Sequence, residues 1–174
     1  MQDGQHQHLP EKETGDKSPD VLRGDILHLS LAQLRYYKKR EWFFDKADKM
    51  TRATTVVLGA ALFGPLVSYF KTVGAVVAFA GLLSIIFDYG GQKRFYQQLA
   101  EQTAQLVADI YTNVEPNKKD TGQWQARLAK LDGQAPPPLV TLMTLCEIEQ
   151  YTADGREAPE VVIRWWKKLF RHFF

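Results

Sequence analysis

The side chains in this sequence that could do chemistry are few and scattered. Histidine occurs at His6, His8, His28 and His172, and the single cysteine is Cys146. His6 and His8 form a His-x-His pair, a metal-ligand spacing, but two ligands on a polar tail do not make a metal site. Cys146 falls on the apolar side of its segment and no histidine is placed to act as its base, so it reads as a small core residue and not a nucleophile. The chain has no P-loop, no dinucleotide-binding glycine pattern, no HExxH, no paired CxxC and no GxSxG. Carboxylates are plentiful, yet no pair of them is singled out by an apolar pocket. The expectation is a protein that is not an enzyme and that carries no cofactor.

The elements are organised by residues 53–87, ATTVVLGAALFGPLVSYFKTVGAVVAFAGLLSIIF, in which Lys71 is the only charged side chain. One helix through the whole stretch would be about 50 Å long. It would strand Lys71 in hydrocarbon at a cost of at least about 2.5 kcal/mol. Folding back at Lys71-Thr72 instead gives apolar runs over 53–70 and 73–87, and the second reaches membrane length with Asp88 and Tyr89 in the interface. Arg35, Lys38, Lys39, Arg40, Lys46, Lys49 and Arg52 precede the pair, and Lys93 and Arg94 follow it. Basic flanks mark the cytoplasmic side. The expectation is an all-α fold built on a transmembrane helical hairpin (53–89), multi-pass, with both termini cytoplasmic. No secretory signal occurs at Met1, so the hairpin itself would direct insertion. Composition conceals this pattern: 174 residues with a net charge of +2 and a mean hydropathy of −0.31 are ordinary for a soluble protein. The lone cysteine fits a reducing cytosolic face.

Within the first run Ala60, Gly64 and Ser68 are spaced four apart, and in the second Gly74, Ala78 and Gly81 form a comparable ridge. Small-residue ridges let helix backbones approach closely in lipid, within one hairpin or between chains. Pro65 is expected to kink the first helix for packing. No carboxylate or histidine lies deep in either run, which argues against a carrier or proton relay. Asp88 is the candidate for a pore mouth in an oligomer, with an exposed interfacial acid as the commoner reading.

Residues 1–20 are too polar to bury surface that offsets ordering entropy, and read as a disordered tail. In 21–52 a short helix over 22–29 precedes Ser30, read as an N-cap with Gln33 in the capping-box place. Leu34, Tyr37, Phe44 and Ala47 then recur near helical spacing. Tyr36, Trp42 and Phe43 broaden that stripe beside Lys38, Lys39 and Arg40. Such a stripe suits single-stranded nucleic acid, but next to an apolar run it is better explained as an interfacial belt on anionic lipid. In 90–155, Gly90-Gly91 is a joint, and 92–111 is an amphipathic helix with some heptad character. Its apolar rows are Phe95, Leu99, Gln102, Leu106, Ile110 and Ala100, Thr103, Val107, Tyr111, Val114. A short helix over 120–132 carries Trp124, Leu128 and Leu131 on one face. A polyproline-like connector over 134–138 resembles a ligand for proline-reading domains and equally a plain linker. A helix over 139–151 uses Leu142, Leu145 and Cys146, and Asp154-Gly155 turns the chain. In 156–174, Pro159 opens a cationic helix with Trp165, Trp166, Lys167 and Lys168, a membrane-interface signature. Docking on the cytosolic helices is the alternative.

The order of parts carries a resemblance. A basic-aromatic helix (Arg35-Tyr36-Tyr37-Lys38-Lys39-Arg40), a close pair of apolar helices, a long helix over 92–111 and short helices around APPPLVTLMTLCEIEQYTADG resemble the SLATT-type two-transmembrane proteins of bacterial conflict systems and prophages. The resemblance covers about residues 31–155. It implies a bacterial inner-membrane protein that oligomerises through its hairpin and forms pores when a sensor partner signals. No active-site residue is carried over, and the polar N-tail and cationic C-terminal helix depart from the pattern. The alternative expectation is a non-catalytic membrane-anchored adaptor whose cytosolic helices bind a protein partner. A further one is a soluble bundle that hides the apolar pair.

Overall fold

Pro19 opens the first helix, α1 (Pro19–Ala61), where its missing N–H is no loss and its fixed φ suits the first turn. The Ser18 carbonyl accepts from Leu22 N at 3.1 Å, and Asp20 faces the positive end of the helix dipole. The computed structural model describes residues 18–61, 74–75, 78–79, 81–82, 88–157 and 159. Helices α2 (Tyr89–Thr112), α3 (Lys118–Gln134) and α4 (Val140–Ala153) follow. Residues 74–75, 78–79 and 81–82 are also helical, and no strand occurs among the described residues. The fold is all-α.

With 43 residues, α1 is about 65 Å long. It runs unbroken through Ser30, which corrects the expectation of a separate short helix ending at an N-cap there. Ser30 is fully buried on the inner face. No proline interrupts α1 after its first turn, and the packing face that starts at Ile26 continues through Ala32, Tyr36, Tyr37 and Phe44, so one amphipathic helix wins over two.

Among the described residues, no helix is long and apolar enough to cross a membrane. That finding corrects the expectation of a multi-pass protein of the bacterial inner membrane with both termini cytoplasmic. The apolar end of α1, from residue 53 to Ala61, spans only about 14 Å against roughly 30 Å of hydrocarbon. Everything before it is studded with charge up to Arg52. Lys71 and Thr72, the expected fold-back, lie outside the described residues, as do Pro65 and the tail over 1–17.

Asp88 starts α2. Its backbone takes the left-handed conformation (φ 36°, ψ 56°) and its carboxylate accepts from Gly91 N at 3.1 Å. A Cβ on Gly91 would lie 2.0 Å from Asp88 Oδ2, so a side chain there would push the capping carboxylate aside. The Gly90-Gly91 pair expected as a joint is thus the first turn of α2.

Helices α1 and α2 are antiparallel. At one end Arg23 donates to the Ile110 carbonyl through Nε (3.2 Å) and Nη2 (3.1 Å), covering orphan groups at the end of α2. At the other end Lys93 Nζ lies 2.8 Å from Asp45 Oδ1. Between them Phe44 stacks on Tyr96 at 5.5 Å and 16°, and Leu99, Leu106 and Ile110 are buried. Helix α3 begins with a capping box, Asn117 accepting from Lys119 N and Asp120 N while Asp120 accepts from Asn117 N. It returns antiparallel to α2, with Asn113 Nδ2 donating to Asp120 Oδ2 at 3.1 Å and Arg127 bridging to Asp109. It buries Trp124, Leu128 and Leu131, the face expected from spacing. Helix α4 lies antiparallel to α1 and buries Leu142 and Cys146 completely.

Candidate interaction groove

Of the histidines and the cysteine, only His28 and Cys146 lie among the described residues, and both are used for packing. His28 Nδ1 lies 2.6 Å from Asp154 Oδ2, its ring sits 4.4 Å from that of Tyr151, and its Nε2 is buried. The contact fixes the end of α4 on α1, and the hydrogen bond from His28 holds the Asp154 carboxyl below the ordinary range. Cys146 is buried in the core, where the apolar spacing placed it. Among the described residues, no group of three or more His, Cys, Asp or Glu is arranged to hold a metal ion.

The expected interface and hairpin residues scatter. Tyr36, Tyr37 and Phe44 face the core at 3%, 3% and 8% exposure, whereas Trp42 is 57% exposed and lies under Lys46 Nζ at 5.7 Å. Lys38 reaches Glu41 at 3.5 Å on the surface. Lys39 Nζ pairs with Glu149 on α4 at 2.6 Å. The Arg40 guanidinium lies 4.7 Å from the Phe44 ring centre and 5.2 Å from that of Tyr96, which folds it into the α1–α2 seam. Ala60 falls in the last turn of α1. Gly74 and Gly81 are half-buried, Ala78 is exposed, and an added Cβ at Gly74 or Gly81 meets no described atom within 4 Å. Asp88 serves as the exposed cap of α2. Gly64, Ser68, Trp165, Trp166, Lys167 and Lys168 lie outside the described residues.

What sequence reasoning missed is a groove between α1, the end of α3 and the start of α4. It encloses about 510 Å³, within the range of ligand-sized clefts. Gln33, Tyr36 and Tyr37 of α1, Asp132 of α3, the 135–138 connector, and Met143 and Glu147 of α4 line it. The connector stays extended because three consecutive prolines cannot continue α3, and Pro136, Pro137 and Pro138 are exposed. The N-cap amide of α4 is served from α1: Leu139 offers no side-chain cap, and its backbone N donates to the Tyr36 hydroxyl at 3.1 Å. That bond and the Pro-Pro-Pro wall fix the start of α4 over α1.

Gln33 Nε2 donates to Asp132 Oδ1 at 2.6 Å, which orients the amide and leaves Gln33 Oε1, buried, without a hydrogen-bond partner among the described residues. An acceptor sealed from water without a donor is costly and uncommon. Burial in the groove raises the Asp132 carboxyl above its usual value, against the lowering bond from Gln33, although the side chain itself remains open to solvent. Burial also raises the Tyr37 hydroxyl, helped by the Asp132 charge. It raises that of Tyr36 against the lowering bond from Leu139 N. A second cavity of about 270 Å³ lies across Pro136 and Pro137, and it contains Arg40. The prolines therefore separate a pocket lined by carboxylates from one lined by a guanidinium.

Gln33 and Asp132 are 99 residues apart, so no local pattern announces the groove. The signals available were the proline triplet and a glutamine on the apolar face of a helix. No family model matches the chain, and no curated protein or solved structure matches it at a significant level.

Proposed function

We propose that this chain is a non-catalytic helical adaptor that binds a protein partner through the groove between α1, the proline connector and α4. The observation that supports this is the groove itself: a roughly 510 Å³ cleft lined by three prolines and a methionine together with two tyrosines and the open carboxylate of Asp132. Such a mixture of apolar lining and a few placed polar groups suits recognition. The use of His28 and Cys146 in packing supports the non-catalytic part. A photo-crosslinking residue placed at Met143 tests the proposal in cells. Adducts of defined mass from Met143, absent when the same residue is placed at the exposed Gln97 on α2, are the expected result. Absence of adducts from Met143 alongside a stably folded variant would refute it.

A second reading is self-association at the apolar end of α1. Val56 and Val57 are 71% and 66% exposed there, adjacent uncovered apolar side chains of the kind that marks interaction surfaces. An assembly of this kind is also what a membrane-permeabilising effector would need. Mass photometry separates the readings: a defined oligomer that dissociates on Val56→Asp and Val57→Asp supports self-association, and dye release from liposomes then checks permeabilisation.

A further inference from the structure

We infer that the outer face of the second half of α1 docks on an anionic lipid surface, lying on it and not across it. Trp42, Lys46, Lys49, Met50, Val56 and Val57 are all exposed. At 3.6 residues per turn they fall within about a third of the helix circumference, opposite Phe44, which packs on Tyr96. From Trp42 to Val57 the face is about 22 Å long. Tyr36, Tyr37 and Phe44 turn into the core, so Trp42 is the exposed ring of this stretch. Lys46 Nζ lies over it. The lysines stand at the start of the face, and Met50, Val56 and Val57 follow them.

The ion pairs along this half of α1 are lopsided. Lys38, Lys49 and Arg52 are 59%, 69% and 75% exposed, whereas their partners Glu41, Asp45 and Asp48 are 21%, 20% and 19% exposed. The helix thus holds its acids back and presents its cations outward, with no exposed acid between residues 38 and 57. Exposed pairs of this kind are worth little, so lipid phosphate replaces the carboxylates at small cost.

An anionic bilayer answers both parts of the face at once. Its phosphates attract the lysines, whose stems reach along the helix to the headgroups. Its acyl boundary takes Met50, Val56 and Val57, and Trp42 sits at the level between the two. Other occupants answer one part only. A single-stranded nucleic acid supplies phosphates and a base to stack on Trp42, but it leaves the apolar end bare. A second copy covers Val56 and Val57 but brings no exposed acid on this face for the lysines.

The test uses the full chain with Met50→Cys and an environment-sensitive nitrobenzoxadiazole dye attached there. Cys146 is buried, so position 50 is the site that labels. A second sample carries the dye through Gln97→Cys on α2. Phosphatidylcholine vesicles containing phosphatidylglycerol are expected to brighten the dye at position 50 and shift it to the blue, and to leave the dye at position 97 unchanged. Lys46→Gln and Lys49→Gln should each raise the lipid concentration at half-maximal signal about fivefold, with thermal unfolding unchanged from the parent chain. Vesicle binding with no change at position 50 places the contact elsewhere on the chain and overturns the inference. An equal response to phosphatidylcholine alone, unaltered by both lysine variants, also overturns it. A larger response to an oligothymidine strand would assign the face to nucleic acid, and one that grows with protein concentration without vesicles would assign it to a second copy; either result overturns the lipid. Crosslinks from Met143 report on the groove alone, so the adaptor reading and this one fail separately.

Discussion

The α1–α2 seam and the α1–α4 seam share one helix and are held by different physics. Along α2 the contact is apolar and aromatic through its length, with Phe44 on Tyr96 and Leu99, Leu106 and Ile110 excluded from water, and polar at its two ends, where Arg23 and Lys93 reach across. Along α4 it is a row of polar ties. Arg35 Nε donates to Gln150 Oε1 at 2.8 Å, Lys39 Nζ meets Glu149 at 2.6 Å, His28 meets Asp154 at 2.6 Å, and Tyr36 holds Leu139 N at 3.1 Å. Burial of apolar area is non-directional and supplies most of the stability. Polar ties add little net free energy but fix register and spacing. The first seam therefore sets how firmly the chain folds, and the second holds α4 at a distance that leaves the groove between them.

Breaking the first seam has the largest expected effect. Leu106→Ala removes a side chain with no exposure and leaves a cavity. It should lower unfolding free energy by about 2–5 kcal/mol, measured by urea denaturation. The next effect comes from Tyr36→Phe, which keeps the ring and deletes the hydroxyl that Leu139 N uses. A loss of about 0.5–1.5 kcal/mol is expected, together with faster hydrogen exchange at the Leu139 amide and unchanged exchange in the middle of α2. If Tyr36→Phe costs as much as Leu106→Ala, the division between a stabilising seam and a registering seam is wrong.

Acid sharpens the comparison at one polar tie of each seam, Asp45 with Lys93 between α1 and α2 and Asp154 with His28 between α1 and α4. Hydrogen bonds from Lys49 and then Lys93 pull the Asp45 carboxyl down to about 2 from 3.8, and the bond from His28 lowers Asp154. For both groups the folded pKa lies below the unfolded one, so their contribution is present above pH 3.8 and is lost as pH falls toward the folded values. Asp132 has the opposite sign. Its folded pKa is raised, so its ionisation in the fold is unfavourable, and that penalty disappears as pH falls below the unfolded value. Asp45→Asn and Asp154→Asn should flatten the loss of stability between about pH 4 and pH 2. Asp132→Asn should steepen the loss across the acid range by removing the one compensating group of the three. A stability profile followed by circular dichroism reads all three slopes. Identical slopes would deny that the groove differs electrostatically from the ties.

The helices of the C-terminal half were legible because their signals are local. Trp124, Leu128 and Leu131 share a face at helical spacing, and the apolar side of α4 placed Leu142 and Cys146 correctly. In α2 the row through Phe95 and Gln102 was one step off: Gln102 is exposed, and Tyr96, which the rows omitted, is buried instead. Tyr36, Tyr37, Phe44 and Arg40 read as a lipid-facing belt because aromatic rings beside cations serve a membrane interface and a protein seam equally well. Only the partner decides, and the partner here is Tyr96, more than fifty residues away in sequence. The groove was illegible for the same reason: it depends on pairs that cross the chain, such as Gln33 with Asp132.

The smallest predicted effect tests whether the α4 ties are interchangeable. Lys39 and Glu149 pair at 2.6 Å, but their side chains are 26% and 44% exposed, so water and salt screen them. Lys39→Met keeps the stem that packs along α1 and removes the charge. The expected loss is below about 1 kcal/mol at low ionic strength and vanishes near 1 M salt. Tyr36→Phe, which breaks a neutral and half-buried bond, should cost the same at both salt concentrations. Denaturation of the two variants at low and high salt therefore tells the ties apart. If Lys39→Met keeps its full effect at high salt, the pair acts through packing, and the α4 seam shares more of its physics with the α2 seam than its hydrogen bonds suggest.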